Sequence, residues 1–156
     1  MMSLRIPGFA DLDLEHLVLD FNGTIAADGT LLPGVPPLIG ALSQTLSIHV
    51  ITADTFARAA QELGGMPLRL TILPAADQAE AKLRYVRDLD ADRVVAVGNG
   101  RNDRKMLEAA ALGIAVIQRE GASFETVDAA DVVVTSVLDA LELLRHQQRL
   151  VATLRS

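Results

Sequence analysis

Short, almost purely apolar runs alternate along this chain with segments whose apolar residues recur at helical spacing. The runs are residues 16–20, 47–52, 68–73, 93–98, 113–117 and 131–135. Between them the spacing predicts helices over 35–46, 55–63, 77–89, 103–111 and 124–129, and a last one from Val137 toward Leu150. Strand and helix in alternation predict an α/β fold, a three-layer Rossmann-like arrangement with a parallel sheet between two layers of helices. Val94-Val95-Ala96-Val97 and Ile114-Ala115-Val116-Ile117 are apolar at every position, as in strands buried on both faces. One connection breaks the rhythm. From Thr24 to Leu32, the pair Asp28-Gly29 sits between short β-capable runs, which predicts a hairpin projecting as a small flap beside Asp20.

Composition narrows the picture. A length of 156 residues suits one domain spanning 1–156, and no repeat, linker or long loop suggests a second. Hydrophobic residues make up 50% and aromatics only 3%, so the core is built from Val, Leu, Ile and Ala. Cysteine is absent, which excludes disulfides and thiolate metal sites. A formal net charge of -6 argues against nonspecific binding to nucleic acid, which depends on Lys and Arg neutralising phosphates. No uncharged apolar stretch approaches the ~20 residues that span a bilayer. The first seven residues have no long apolar run behind Arg5, so no signal peptide is expected, and the expected setting is the cytoplasm, away from membranes.

The candidate chemistry lies at strand ends. An apolar strand delivers Asp20 into the loop Phe21-Asn22-Gly23-Thr24. A carboxylate there stands in the crevice where open α/β sheets bind ligands, and Asp can attack phosphorus to form an aspartyl-phosphate. The same loop residues are also ordinary turn chemistry. Thr52 ends Ile48-His49-Val50-Ile51, where a hydroxyl could meet a phosphoryl oxygen, although taken alone the segment with Asp54 and Thr55 reads better as a helix cap. Lys82 offers a compact positive charge, but taken alone a helix lysine among Glu80, Arg84 and Arg87 better suits a solvated face, and only its place in the order of motifs argues otherwise. Gly98-Asn99-Gly100-Arg101-Asn102-Asp103 lets the chain turn tightly and brings oxygen-bearing side chains toward the same crevice. Oxygen donors with few carboxylates suit Mg²⁺. Capping explains Asn102 and Asp103 but not the glycines around Asn99. His16, His49 and His146 lack metal-ligand spacing, and neither a dinucleotide fingerprint nor a Gly-Lys-Ser/Thr loop is present.

Asp20-x-x-Gly23-Thr24, then Thr52, Lys82 and Gly98-x-Gly100-x-Asn102-Asp103, in that order on alternating strands, resembles the haloacid dehalogenase-like phosphohydrolase superfamily. It looks closest to the phosphorylation domain of P-type ATPases and to the small soluble, capless proteins related to it. The likeness covers nearly the whole chain, including residues 51–54, the Lys82 helix and residues 129–134. It implies a haloacid dehalogenase-like fold without a cap domain. Carried over by residue, Asp20 is the implied nucleophile, Lys82 the charge that steadies it, and Thr52 the phosphate-binding hydroxyl, with Ala53, Gly23 and Asn102 also on the substrate side. The implied Mg²⁺ site comprises Asp20, the backbone carbonyl of Asn22, Asn99 and Asp103.

Two residues depart from the pattern. Related phosphatases usually carry an Asp two residues after the nucleophile as acid and base, and this chain has Asn22. An amide cannot shuttle that proton, whose handling is typically worth ~10²–10⁴ in rate. P-type ATPases also lack that Asp. Asn99 stands where relatives commonly have a metal-binding Asp, and one charge fewer should weaken Mg²⁺ binding. Together these imply a phosphohydrolase biased toward anhydride, acyl or aryl phosphates, which leave readily without a proton donor. The competing expectation is a catalytically weak or inactive regulatory module that keeps the pocket. The expected ligand is a small phosphorylated molecule. Capless relatives often assemble so that a neighbouring subunit covers the open site, so the resemblance also implies a homo-oligomer, with Leu138, Leu141, Leu144, Leu150, Val151 and Leu154 as candidate contacts, the first three better suited to the core.

Overall fold

The computed structural model describes residues 1–53 and 56–156. Strands β1 (Met2–Ile6) and β2 (Ala10–Leu14) form an antiparallel hairpin and lead into β3 (His16–Asp20). The flap follows as β4 (Ala26–Ala27) and β5 (Thr30–Leu31), then α1 (Val35–Leu42), β6 (Ser47–Thr52), α2 (Phe56–Leu63) and β7 (Arg69–Ile72). The second half runs α3 (Gln78–Asp88), β8 (Val94–Gly98), α4 (Arg104–Ala109), β9 (Leu112–Val116), α5 (Phe124–Ala129), β10 (Val132–Val134), α6 (Val137–Arg145) and α7 (Gln147–Leu154). Six strands make one parallel sheet in the order β10-β9-β8-β3-β6-β7.

Period-two alternation sends successive residues to opposite faces. Leu17, Leu19, Val50, Val95 and Val97 pack beneath α1 and α6 with Ile39, Leu42, Leu141 and Leu144. Val18, Ile51, Val94 and Ala96 pack on the other face with Val86, Met106 and Leu107 from α3 and α4. The three layers are those the apolar pattern predicts. Because β3 lies between β6 and β8, the chain winds outward in both directions from it. That reversal is the topological switch point, and the crevice above it is where such sheets take ligands.

Several boundaries differ from the expectations. The helix begun at Val35 stops at Leu42, where Ser43 turns its hydroxyl onto Gly40 O at 2.7 Å and Leu46 folds into the core. The helix expected over 103–111 is shorter, because a single 3₁₀ turn over Arg101–Asp103 precedes it. The start expected at Thr55 lies outside the described residues; α2 is described from Phe56. The last helix is two, broken at His146, whose φ of -124° and ψ of 72° end the first. The reason is the amino-terminal hairpin, which the apolar runs did not announce. It offers a second surface, onto which α7 packs Leu150, Val151 and Leu154, while Ser156 N donates to Pro7 O at 3.0 Å. All six apolar positions named as assembly contacts therefore pack against this chain's own core. The flap matches expectation: Asp28 and Gly29 both have positive φ, 50° and 78°, the pairing a two-residue hairpin turn needs. Among the described residues, no helix is long and apolar enough to cross a membrane.

Candidate active site

Asp20, Thr52 and Gly98 end three adjacent strands, so their loops meet above the centre of the sheet. Helix α3 turns Ala81, Lys82, Leu83 and Val86 inward, and Lys82 rides with that apolar face to 1% exposure. Its ammonium lies 2.9 Å from Asp20 Oδ1, 2.7 Å from Asp103 Oδ1 and 3.3 Å from Asn102 Oδ1. Three N–H groups thus meet three acceptors, the full donor capacity of the side chain. Lys82 belongs to the buried site and not to a solvated helix face.

Asp103 anchors the loop beneath it. Its Oδ2 accepts from Asn99 N and Gly100 N, each at 3.0 Å, and the residue is fully buried. The approach explains Gly98, where a Cβ would stand 2.5 Å from the Asp103 carboxyl carbon. Gly23 answers a similar constraint. Its φ of +81° is left-handed, and a Cβ there would strike the Asn99 amide.

Asp20, Asn22, Thr52, Ala53, Lys82, Asn99 and Asn102 line one cavity of about 330 Å³. Asp103 reaches it through Lys82. Gly23, expected on the substrate side, lines instead an adjoining groove of about 480 Å³ between the flap and residues 118–120, and its N–H donates to Ala26 O at 2.7 Å. Asn22 Oδ1 accepts from Gly29 N. Asn99 Nδ2 donates to Gly121 O at 3.1 Å, and its Oδ1 faces the Thr24 hydroxyl at 3.4 Å. Two lining residues escaped the sequence analysis. Gln78 Oε1 accepts from Asn102 Nδ2, turning the Asn102 oxygen toward Lys82, and Glu120 reaches the cavity from the loop after β9. Gln78 opens the Lys82 helix, a signal available in the sequence; Glu120 carries no local signal.

Charge is crowded here. Burial, followed by the neighbouring Asp103 carboxylate, pushes the Asp20 carboxyl up to about 7, against the opposing pull of Lys82. For Lys82, burial works to lower the pKa, but the two carboxylates together outweigh it and hold the ammonium above its ordinary value. Two buried carboxylates on one ammonium form a site short of positive charge. Among the described residues no cluster of three or more His, Cys, Asp or Glu exists. A cation here would draw on Asp20 together with amide, main-chain and water oxygens. That hard, sparsely charged donor set fits Mg²⁺, which keeps several waters.

Residues 79–139, from the Lys82 helix through the Asn99–Asp103 loop to the start of α6, match the family model of the haloacid dehalogenase-like hydrolases. An uncharacterised protein of Methanocaldococcus jannaschii, MJ0073, is 43% identical over 79 residues, which is 48% of this chain and 85% of that relative. The chain belongs to the haloacid dehalogenase-like family. Solved members share the fold. The 3-deoxy-D-manno-octulosonate 8-phosphate phosphatase of Moraxella catarrhalis, solved with magnesium, phosphate and its sugar acid, superposes with a TM-score of 0.67 at 19% identity, covering 90% of this chain and 92% of that one. The catalytic domain of the CPx-ATPase CopB-B gives 0.62 at 18% identity, over 74% of this chain and 46% of that one.

Proposed function

We propose that this haloacid dehalogenase-like protein is a Mg²⁺-dependent phosphohydrolase that works through an aspartyl-phosphate on Asp20. One observation carries the reading: Lys82 holds the Asp20 carboxylate at 2.9 Å in a cavity that also opens onto Thr52 and Asn99. In the first half-reaction, an Asp20 oxygen bonds to phosphorus as the bond to the leaving oxygen breaks. Lys82 orients that carboxylate and offsets charge gathering on the phosphoryl oxygens, and Thr52 stands where its hydroxyl can meet one of them. Water then attacks phosphorus, and Asp20 is released with inorganic phosphate. The cation would be held by Asp20, the Asn22 carbonyl and Asn99, with Asp103 beside them, and when bound it neutralises phosphoryl charge.

Substrate preference follows from Asn22. The side-chain amide has no proton to give a departing alkoxide, so anhydride, acyl and aryl phosphates should be favoured over sugar phosphates. The phosphatase and ATPase structures with this fold support phosphoryl chemistry as the class. The test is a rate screen over anhydride, acyl, aryl and sugar phosphates with Mg²⁺ and with Asp20→Asn as blank. Activity on the first three groups that vanishes in the blank is expected; no activity on any group, or equal activity in the blank, would refute it.

A further inference from the structure

After β9 the chain turns tightly through Gln118, Arg119, Glu120 and Gly121, closed by Gly121 N donating to Gln118 O at 2.9 Å. Both ends of this turn are fastened to the site. Gln118 Nε2 donates to Gly23 O at 3.2 Å and Thr24 O at 2.8 Å, in the loop that follows Asp20, while Gln118 Oε1 accepts from Val137 N at 2.8 Å. At the other end Gly121 O accepts from Asn99 Nδ2. A turn held so holds its central residues in place. Glu120 consequently lines the same cavity as Asp20 and Asn22, and also the groove beside the flap.

The other polar groups of the cavity are already engaged. Lys82 has its three acceptors, Asn102 pairs with Gln78, and Asn22 Oδ1 is held by Gly29 N. Among the described residues, Glu120 is the one carboxylate besides Asp20 that lines the cavity, and it has no hydrogen-bond or ion-pair partner. It is exposed, in contact with the water that must enter.

We infer that Glu120 is the general base for hydrolysis of the aspartyl-phosphate, taking over from another loop the half of the proton work that Asn22 cannot do. The inference rests on the phosphohydrolase reading above. The Glu120 carboxylate removes a proton from water as the water oxygen bonds to phosphorus and the bond between phosphorus and the Asp20 oxygen breaks. The products are inorganic phosphate, the Asp20 carboxylate and a protonated Glu120, which returns its proton to solvent. Departure of the leaving group remains unassisted, so the preference for activated phosphates stands.

The test follows p-nitrophenyl phosphate with Mg²⁺ by rapid mixing, together with acid-quenched phosphoenzyme. Nitrophenolate released in the first turnover reports formation of the intermediate, and the steady rate reports its hydrolysis. In Glu120→Gln the burst is expected to be at least as large as in the wild type while the steady rate falls about 10²-fold, with phosphoenzyme accumulating and Glu120→Asp recovering part of the rate. A steady rate within about threefold of the wild type would overturn the inference, general-base help being typically worth far more than that. Loss of burst and turnover together would do so as well, as would a loss of turnover in Asp54→Asn with none in Glu120→Gln. Failure of the underlying reading looks different: wild-type protein would form no phosphoenzyme, and Asp20→Asn would match it in rate.

Discussion

The side-chain oxygen of Asn22 accepts a hydrogen bond from the main-chain N–H of Gly29 at 3.1 Å, so the residue standing in the place of the usual acid ties the flap to the loop after the nucleophile. A carboxylate of the same shape would accept that bond equally well. Asn22→Asp should therefore keep the flap and restore a proton carrier.

For Asn22→Asp the expected outcome is a rise in turnover of sugar and alkyl phosphates by about 10-fold or more, with a smaller change for aryl phosphates, whose leaving groups need no proton. Steady-state rates on one phosphate of each kind check it. An equal change on both would mean that Asn22 does not set the preference.

Asn99→Asp adds a negative charge to the proposed cation site but removes the donor that holds Gly121 O. Tighter Mg²⁺ binding, read as a larger rise in Tm on adding Mg²⁺, is expected together with a lower Tm in its absence, the lost hydrogen bond costing about 1 kcal/mol of stability. Thermal unfolding with EDTA and with Mg²⁺ separates the two effects.

Two buried groups give opposite pH trends. Asp20 titrates near 7 in the folded protein, against 3.8 as the ordinary value, so between those values the native state holds a proton that the unfolded chain has released, and stability falls as pH rises. Burial, with lesser repulsion from His16 and Arg69, lowers His49 from 6.5 to about 4; across that window the unfolded chain binds the extra proton, and stability rises with pH. With EDTA, Asp20→Asn should become more stable from pH ~4 to ~6.5, and His49→Gln less stable, each by a few kcal/mol at most. Denaturant unfolding across that range checks both signs.

Apolar runs identify β3, β6, β8 and β9 because strands buried on both faces announce themselves in consecutive residues, and the ends of those strands place Asp20, Thr52 and the loop from Asn99 to Asp103 together. Lys82 is ambiguous in the sequence because its charge resembles that of neighbouring surface residues. Only the packing of α3 against the sheet buries it. The β1–β2 hairpin was legible in principle, since Met2, Leu4 and Ile6 alternate with Ser3 and Arg5. The break at His146 depends on that hairpin and so could not be read from residues 137–154 alone. Glu120 enters the site through hydrogen bonds made by Gln118 and Asn99 to other loops, and such distant contacts leave no periodic mark.

Everything proposed for this site requires the Asp20 carboxylate to receive the phosphoryl group. Acid-quenched protein, labelled from a radioactive acyl phosphate with Mg²⁺ and digested to peptides, tests this most directly. Label is expected on the peptide containing Asp20, removed by hydroxylamine and absent from Asp20→Asn. Label on any other residue, or hydrolysis undiminished in Asp20→Asn, would contradict it.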